Sequence, residues 1–293
     1  MALRDGRLVS ATYNCYVALL WDPALCRDAV PEPVAEINIL PSRVNALAVL
    51  PDGSRVAAGI RWQDEGQGGI VVWDPRSTPH KKQRISSVTI ATPSGVEALA
   101  LLHNGHLVAG CRYGTLCEVD VDAGVVVQSA KSHLPGVTAL AVLPDGRLAA
   151  ACTHRNTVEL WDTTTWTCIA ELVGHTGYVT SLAVLPDGRL ASGSDDATVR
   201  LWDVGTRTCV RVLEGHTEAI QALAVLPAGR LATASRDGTA RAWDTGRAAV
   251  DDTPVAKMAL TSYVAPTTLL PLPDGRLATG SNGVRLWAWP PPH

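Results

Sequence analysis

Apolar and polar residues alternate along this chain in short runs, and one of those runs keeps returning. Ala46-Leu47-Ala48-Val49-Leu50-Pro51 recurs at Ala139 to Pro144 and at Ala222 to Pro227, and with one change from Ser181 to Pro186. Asp-Gly or a close variant follows each copy, and a second apolar run comes after that. The turn glycine can be followed as Gly6, Gly53, Gly105, Gly146, Gly188, Gly229 and Gly275, at intervals of 47, 52, 41, 42, 41 and 46 residues. A period near forty is the mark of a repeat architecture. In the fifth unit the pattern predicts strands over Val179 to Leu185, Leu190 to Ser194, Val199 to Trp202 and Cys209 to Leu213. The turns are Pro186-Asp187-Gly188 and Asp195-Asp196-Ala197. Proline and glycine punctuate the junctions, β-branched residues fill the runs, and no segment keeps a helical period. A four-stranded sheet of this size cannot bury both faces alone, so neighbouring units must stack. A ring of units achieves this without long free edges.

The dipeptide Trp-Asp closes five units, at Trp21-Asp22, Trp73-Asp74, Trp161-Asp162, Trp202-Asp203 and Trp243-Asp244. Gly-His opens units at Gly174-His175 and Gly215-His216, with Ser132-His133 as a weaker form. On these residues the chain resembles the WD-repeat family over essentially its whole length. The resemblance implies an all-β fold: a seven-bladed β-propeller of four-stranded antiparallel blades, with incomplete first and last blades. It would form one domain over residues 1–293, with blades near 1–40, 41–91, 92–132, 133–174, 175–215, 216–262 and 263–293. The third unit departs by ending Glu118-Val119-Asp120, the seventh by ending Trp287-Ala288-Trp289. The second carries a long loop from Arg61 to Gly69. In the family one blade is usually completed by strands from both chain ends. Here the last outer strand has no evident donor, so the expectation is either a segment of a longer polypeptide or a thin seam between blades one and seven. Pro290-Pro291-Pro292 would blunt that edge.

Composition narrows the functional classes. Hydrophobic residues make up 46% and charged residues 18%, ample for a large core, and the net charge of −3 shows no basic excess. Nucleic-acid binding is therefore not expected, and His80-Lys81-Lys82-Gln83-Arg84 reads as a solvated loop. The seven cysteines are odd in number and form no C-x-x-C pair, which points to reduced small hydrophobes rather than a disulfide frame or zinc site. No apolar run reaches membrane-spanning length and the N-terminus has no signal core, so a cytoplasmic chain without membrane contact is expected.

Unit five holds His175, Ser192, Asp196 and Trp202, and unit six the parallel His216, Thr233, Asp237 and Trp243. The set resembles a Ser-His-Asp hydrolase only superficially: it repeats in two blades, accepts threonine, and lacks a G-x-S-x-G turn. The family resemblance implies a buried network from Trp through Ser or Thr and His to the turn Asp. Glu65-Gly66-Gln67-Gly68-Gly69 opens no helix and reads as a hairpin loop. Asp64 with Glu65 is a weak cation candidate, and His103 and His106 flank the Asn104-Gly105 turn without ligand partners at metal spacing. No catalytic residue, metal or cofactor is expected.

The resemblance places partner recognition on one propeller face. The candidate residues there are Tyr13, Arg61, Trp62, Arg112, Tyr113, Arg155, Tyr178, Asp195, Gln221 and Arg236, a set rich in interface-anchoring types. Asn45, Glu97, Thr138 and Thr180 fall at the inner-strand entrances. Trp62 stands out as lying in the long loop, and an acidic or peptide-binding face ringed by Trp62, Arg112, Arg155 and Arg236 is the sharpest form of this reading. The function expected is a non-catalytic scaffold or adaptor, monomeric, binding a protein or peptide. The alternatives are a module of a larger signalling or ubiquitin-pathway protein and, below it, a propeller enzyme of lactonase or lyase type. An enzyme needs an acid–base or metal cluster along the channel, whereas the inner strands carry Ala-Leu-Ala-Val-Leu.

Overall fold

In a computed structural model, the structure describes residues 1–11, 17–22, 33–38, 42–62, 67–75, 88–133, 135–152, 155–246, 254–260, 268–272, 274–280 and 284–288. They form antiparallel sheets in which each strand pairs with its neighbour in sequence. The chain divides into two compact units, Met1–Val137 and Thr138–His293.

The first unit holds a three-stranded sheet of β1 (Leu8–Ala11), β2 (Val17–Trp21) and β3 (Ala35–Asn38). Two four-stranded sheets follow. One is β4 (Ser42–Val49), β5 (Val56–Trp62), β6 (Gly68–Trp73) and β7 (Val88–Thr92). The other is β8 (Val96–Leu101), β9 (Leu107–Cys111), β10 (Thr115–Asp120) and β11 (Val125–Lys131). The second unit begins within β12 (Val137–Val142), which heads a sheet with β13 (Leu148–Cys152), β14 (Thr157–Asp162) and β15 (Thr167–Val173). Next come β16 (Val179–Val184), β17 (Leu190–Ser194), β18 (Val199–Asp203) and β19 (Thr208–Leu213). Then follow β20 (Ile220–Val225), β21 (Leu231–Ser235), β22 (Thr239–Trp243) and β23 (Ala256–Ala259). A three-stranded sheet of β24 (Thr268–Pro271), β25 (Arg276–Gly280) and β26 (Val284–Ala288) ends the order.

The second and third strands of each blade are buried on both faces, which is why they read as near-continuous apolar runs: β9, β13, β17 and β21 carry no exposed residue. Facing sheets share cores. Leu3, Val9 and Leu20 of the first sheet pack with Val44, Val56, Ile60 and Trp73 of the second. In the second unit, Leu185, Leu201 and Leu213 receive Ile220, Leu231 and Trp243 from the following sheet. A buried indole removes about 200 Å² of ring from water, which at about 25 cal/mol per Å² is about 5 kcal/mol. Trp73, Trp161, Trp202 and Trp243 are among the largest fully buried side chains.

The Asp-Gly turns work as the pattern requires. Gly6, Gly146, Gly188 and Gly275 take positive φ between 84° and 88°, open to glycine at little cost. In each, the arginine one place later pairs with the turn aspartate, as in Arg147 Nε–Asp145 Oδ2 at 2.8 Å. Two of these arginines also reach the next blade, Arg147 to the Val204 carbonyl at 3.1 Å and Arg189 to the Thr245 carbonyl; Arg55, two places after Gly53, does the same to Asp122 at 2.8 Å.

Two sequence expectations are corrected here. The second-blade loop does not begin at Arg61: β5 runs through Trp62, Trp62 pairs with Ser42, and its half-buried ring packs on the core shared by the first two sheets. Gly68 and Gly69 lie within β6 for close packing, since a Cβ on Gly68 would fall 2.5 Å from Ile60 O and from Gly95 Cα. Asp64, Glu65, Tyr13 and the triple proline lie outside the described residues.

Candidate functional site

The most concentrated polar chemistry lies inside blades five and six. Ser192 sits in mid-strand on β17, paired with Arg200 on β18, so its hydroxyl is held beneath Trp202. Trp202 Nε1 donates to Ser192 Oγ at 2.8 Å, and Ser192 Oγ lies 2.7 Å from His175 Nε2. His175 Nδ1 lies 2.8 Å from Asp196 Oδ2. The indole can only donate and the carboxylate can only accept, so with a neutral imidazole the order runs Trp to Ser, Ser to His, His to Asp. Asp196 also accepts from the Thr176 N–H at 3.0 Å and from the Thr198 hydroxyl at 2.7 Å, locking the second turn. Blade six repeats the arrangement at 2.9, 2.7 and 2.7 Å through Trp243, Thr233, His216 and Asp237.

Charge follows from these bonds. Burial alone would raise both carboxyls, but the hydrogen bonds from histidine and threonine outweigh it. Asp196 is held well below the usual carboxylate range and Asp237 is brought to about 2. Burial depresses His216, and its bond to Asp237 offsets this only in part, which favours the uncharged ring. Ser192 and Thr233 are wholly buried and the side chains of His175 and His216 are only 1% exposed. The serine hydroxyl is therefore engaged on both sides and closed to substrate. These are networks that satisfy buried polar groups and fix turn geometry.

Blades one and seven keep both the indole and its hydroxyl acceptor, while blades four and two keep the indole alone. Trp21 donates to Ser10 at 2.8 Å and Trp287 to Thr279 at 2.9 Å. In blade four, Ala150 holds the serine position, and Trp161 donates instead to the fully buried Glu159 at 3.0 Å. In blade two, Ala58 holds it, and the buried Trp73 Nε1 meets no acceptor among the described residues. Sequence reasoning missed Glu159, although a carboxylate two residues before the tryptophan on one strand face was a visible signal. It also left His106 without a partner, whereas the fold brings Glu118 Oε1 to 2.8 Å and Asp120 Oδ2 to 3.8 Å from its ring nitrogens.

The partner-face residues gather at one end of their own blades, because the second turn of a blade is bonded to the entrance of its inner strand. The Arg112 N–H donates to Gly95 O at 2.8 Å, Asp195 to Tyr178 O at 2.8 Å, and Arg236 to Ala219 O at 2.9 Å. Tyr113 and Tyr178 are 56% and 47% exposed there, and Arg112, Arg155, Asp195 and Arg236 are exposed as well. Arg61 and Trp62, half-buried, end β5 at the same end of blades two and three. Trp62 and Arg112 belong to the first unit, Arg155 and Arg236 to the second.

The entrance residues have another task. A β-bulge falls at Asn45, Glu97, Thr180 and Gln221, displacing one residue from each inner strand's ladder. Asn45 donates to Val96 O at 3.3 Å and Thr180 to Ile220 O at 2.6 Å; Thr138 likewise donates to Val179 O at 2.8 Å. Each thus stitches its blade to the next. Gln221 turns instead to the carbonyl of Ile220, its own neighbour, at 3.4 Å.

Repeated four-stranded sheets, indole-closed blades and these networks define a β-propeller. Segments 124–162, 166–203 and 207–244 match the family described as WD domain, G-beta repeat, and the chain carries WD40 repeats. A crystal structure of the WD40 beta propeller domain of Doa1 is similar in fold, with a TM-score of 0.78 at 20% identity over 97% of this chain and 90% of that one. No curated protein matches the sequence.

Proposed function

We propose that the chain is a non-catalytic interaction platform whose seven blades close into a ring and present one face to a protein or peptide. The observation that carries this reading is the division of polar chemistry. The groups that resemble a catalytic triad are sealed inside blades, while exposed tyrosine and arginine collect at the sheet ends. Those residue types anchor protein interfaces. The inner strand Ile220–Val225 offers Gln221 as its one polar side chain, which gives that strand no acid–base group. Affinity capture with the purified chain, followed by the same capture with Tyr178→Ala/Arg236→Ala, tests the reading. Specific proteins retained by the parent and lost by the variant support it. Absence of any specific capture, or turnover of a lactone or phosphoester panel, overturns it.

A further inference from the structure

We propose that Arg43, Arg61 and Arg112, with the ring of Tyr113, form a docking site for an acidic peptide segment of a partner protein. The inference rests on the platform reading and adds the chemistry of the partner.

Arg43 and Arg61 are directly opposed in the antiparallel pairing of β4 with β5. Like charges in that position repel, an arrangement that a bound anion would relieve. Both are half-buried, so the repulsion is screened less than on an open surface. The aliphatic stem of Arg61 lies across Gly95, where a Cβ would come within 2.8 Å of Arg61 Cγ; glycine there lets the guanidinium reach over blade three. One carboxylate answers it: Glu97 Oε1 lies 3.8 Å from Arg61 Nη1. Glu97 is also engaged by the Asn45 amide at 3.0 Å. Burial pushes its carboxyl up, against the pull of Arg61 and Arg112. Arg112 is exposed, 6.0 Å from the centre of the exposed Tyr113 ring. Among the described residues no second carboxylate lies within ion-pair distance of these three arginines.

Among the described residues, Arg61 and Arg112 thus act on the one carboxylate of Glu97 while Arg43 stands opposite Arg61, a positive balance on a chain whose net charge is −3. A local excess opposite in sign to the whole steers anions to that spot. Guanidinium forks match carboxylates two bonds at a time. The flat tyrosine gives the peptide between its acidic side chains an apolar rest. An extended segment carrying carboxylates at alternate positions fits this mixture.

The test uses fluorescence anisotropy of a fluorescein-labelled peptide of alternating Glu and Ser, with Gln-Ser and Lys-Ser peptides and a short oligothymidylate as companions. At low salt the Glu peptide is expected to bind, and to weaken about tenfold or more in Arg43→Glu/Arg61→Glu and in Arg112→Glu, with Arg230→Glu, exposed beside the Gly229 turn of blade six, unchanged. Circular dichroism melts identify any variant that has merely lost its fold, and Arg43→Gln/Arg61→Gln then serves as the milder substitute. Equal binding of the Lys or Gln peptide, tighter binding of oligothymidylate, no binding of the Glu peptide, or indifference to the arginine changes overturns the inference. Proteins captured equally by the parent and the arginine variants would sink this site while leaving the platform intact. Absence of capture by either sinks the platform itself.

Discussion

Replacing Ser192 with alanine removes one oxygen from the interior of blade five and leaves the polypeptide volume almost unchanged. Two groups lose their partner: the Trp202 indole N–H, bonded at 2.8 Å, and His175 Nε2, bonded at 2.7 Å. Ser192 is wholly buried and the His175 side chain is 1% exposed, so water cannot replace the hydroxyl without opening the blade. Leaving a buried donor or acceptor unsatisfied costs about 1–3 kcal/mol. The two groups share one atom, so their losses overlap, and a total of about 2–4 kcal/mol is expected. For a chain of this size that lowers the melting temperature by about 4–16 °C. Differential scanning calorimetry with the matched chemical melt measures it. A double-mutant cycle with His175→Phe apportions it, because once the imidazole is gone the serine should matter only through Trp202. A melting temperature within about 1 °C of the parent would refute the network account, as would full additivity in the cycle.

Asp196→Ala should cost about 1–3 kcal/mol, read from the same melts, since the carboxylate holds His175 and the turn N–H groups. Ala58→Ser runs the opposite way: it places an acceptor beneath the unpartnered Trp73 N–H and should stabilise by about 1 kcal/mol; a loss of stability in urea titration would count against that placement. Acid sensitivity follows from blade six. Asp237 is depressed from 3.8 to about 2 in the folded chain, so its contribution is complete above pH 3.8 and is lost as pH falls toward 2. His216 is depressed too, so it adds stability above its ordinary value of 6.5 and loses it on acidification. Asp237→Asn should therefore flatten the acid limb of the stability curve, and an unchanged limb would contradict the assignment.

The repeat and its turns were legible because they are local: Asp-Gly spacing, apolar runs and Trp-Asp closures are each written within a few residues. The Trp–Ser–His–Asp order was legible through family resemblance, and in blade five hydrogen-bond distances of 2.7 to 2.8 Å join those residues. What escaped depends on strands meeting across a sheet. Glu159 was visible two residues before Trp161, but its task follows only once Ala150 is set opposite it across the ladder, and nothing near His106 announces Glu118, twelve residues on and one strand over. Trp62 was misplaced because a glycine-rich stretch reads as loop, while the backbone needed those glycines for close approach in β6. The bulges at Asn45 and Thr180 leave no sequence signal, yet they turn entrance residues from candidate contacts into stitches.

Those stitches, together with the turn arginines at the opposite ends of the sheets, have a mechanical meaning. Thr180 ties blade five to the next at the inner entrance, while Arg189 ties the same blade at its Asp-Gly turn. Shear applied to one blade must break fasteners at both ends before the packed face can slide. Under an optical trap the second unit should therefore yield in rips larger than one blade's contour length, whereas a Thr180→Val/Arg189→Ala chain should peel blade by blade.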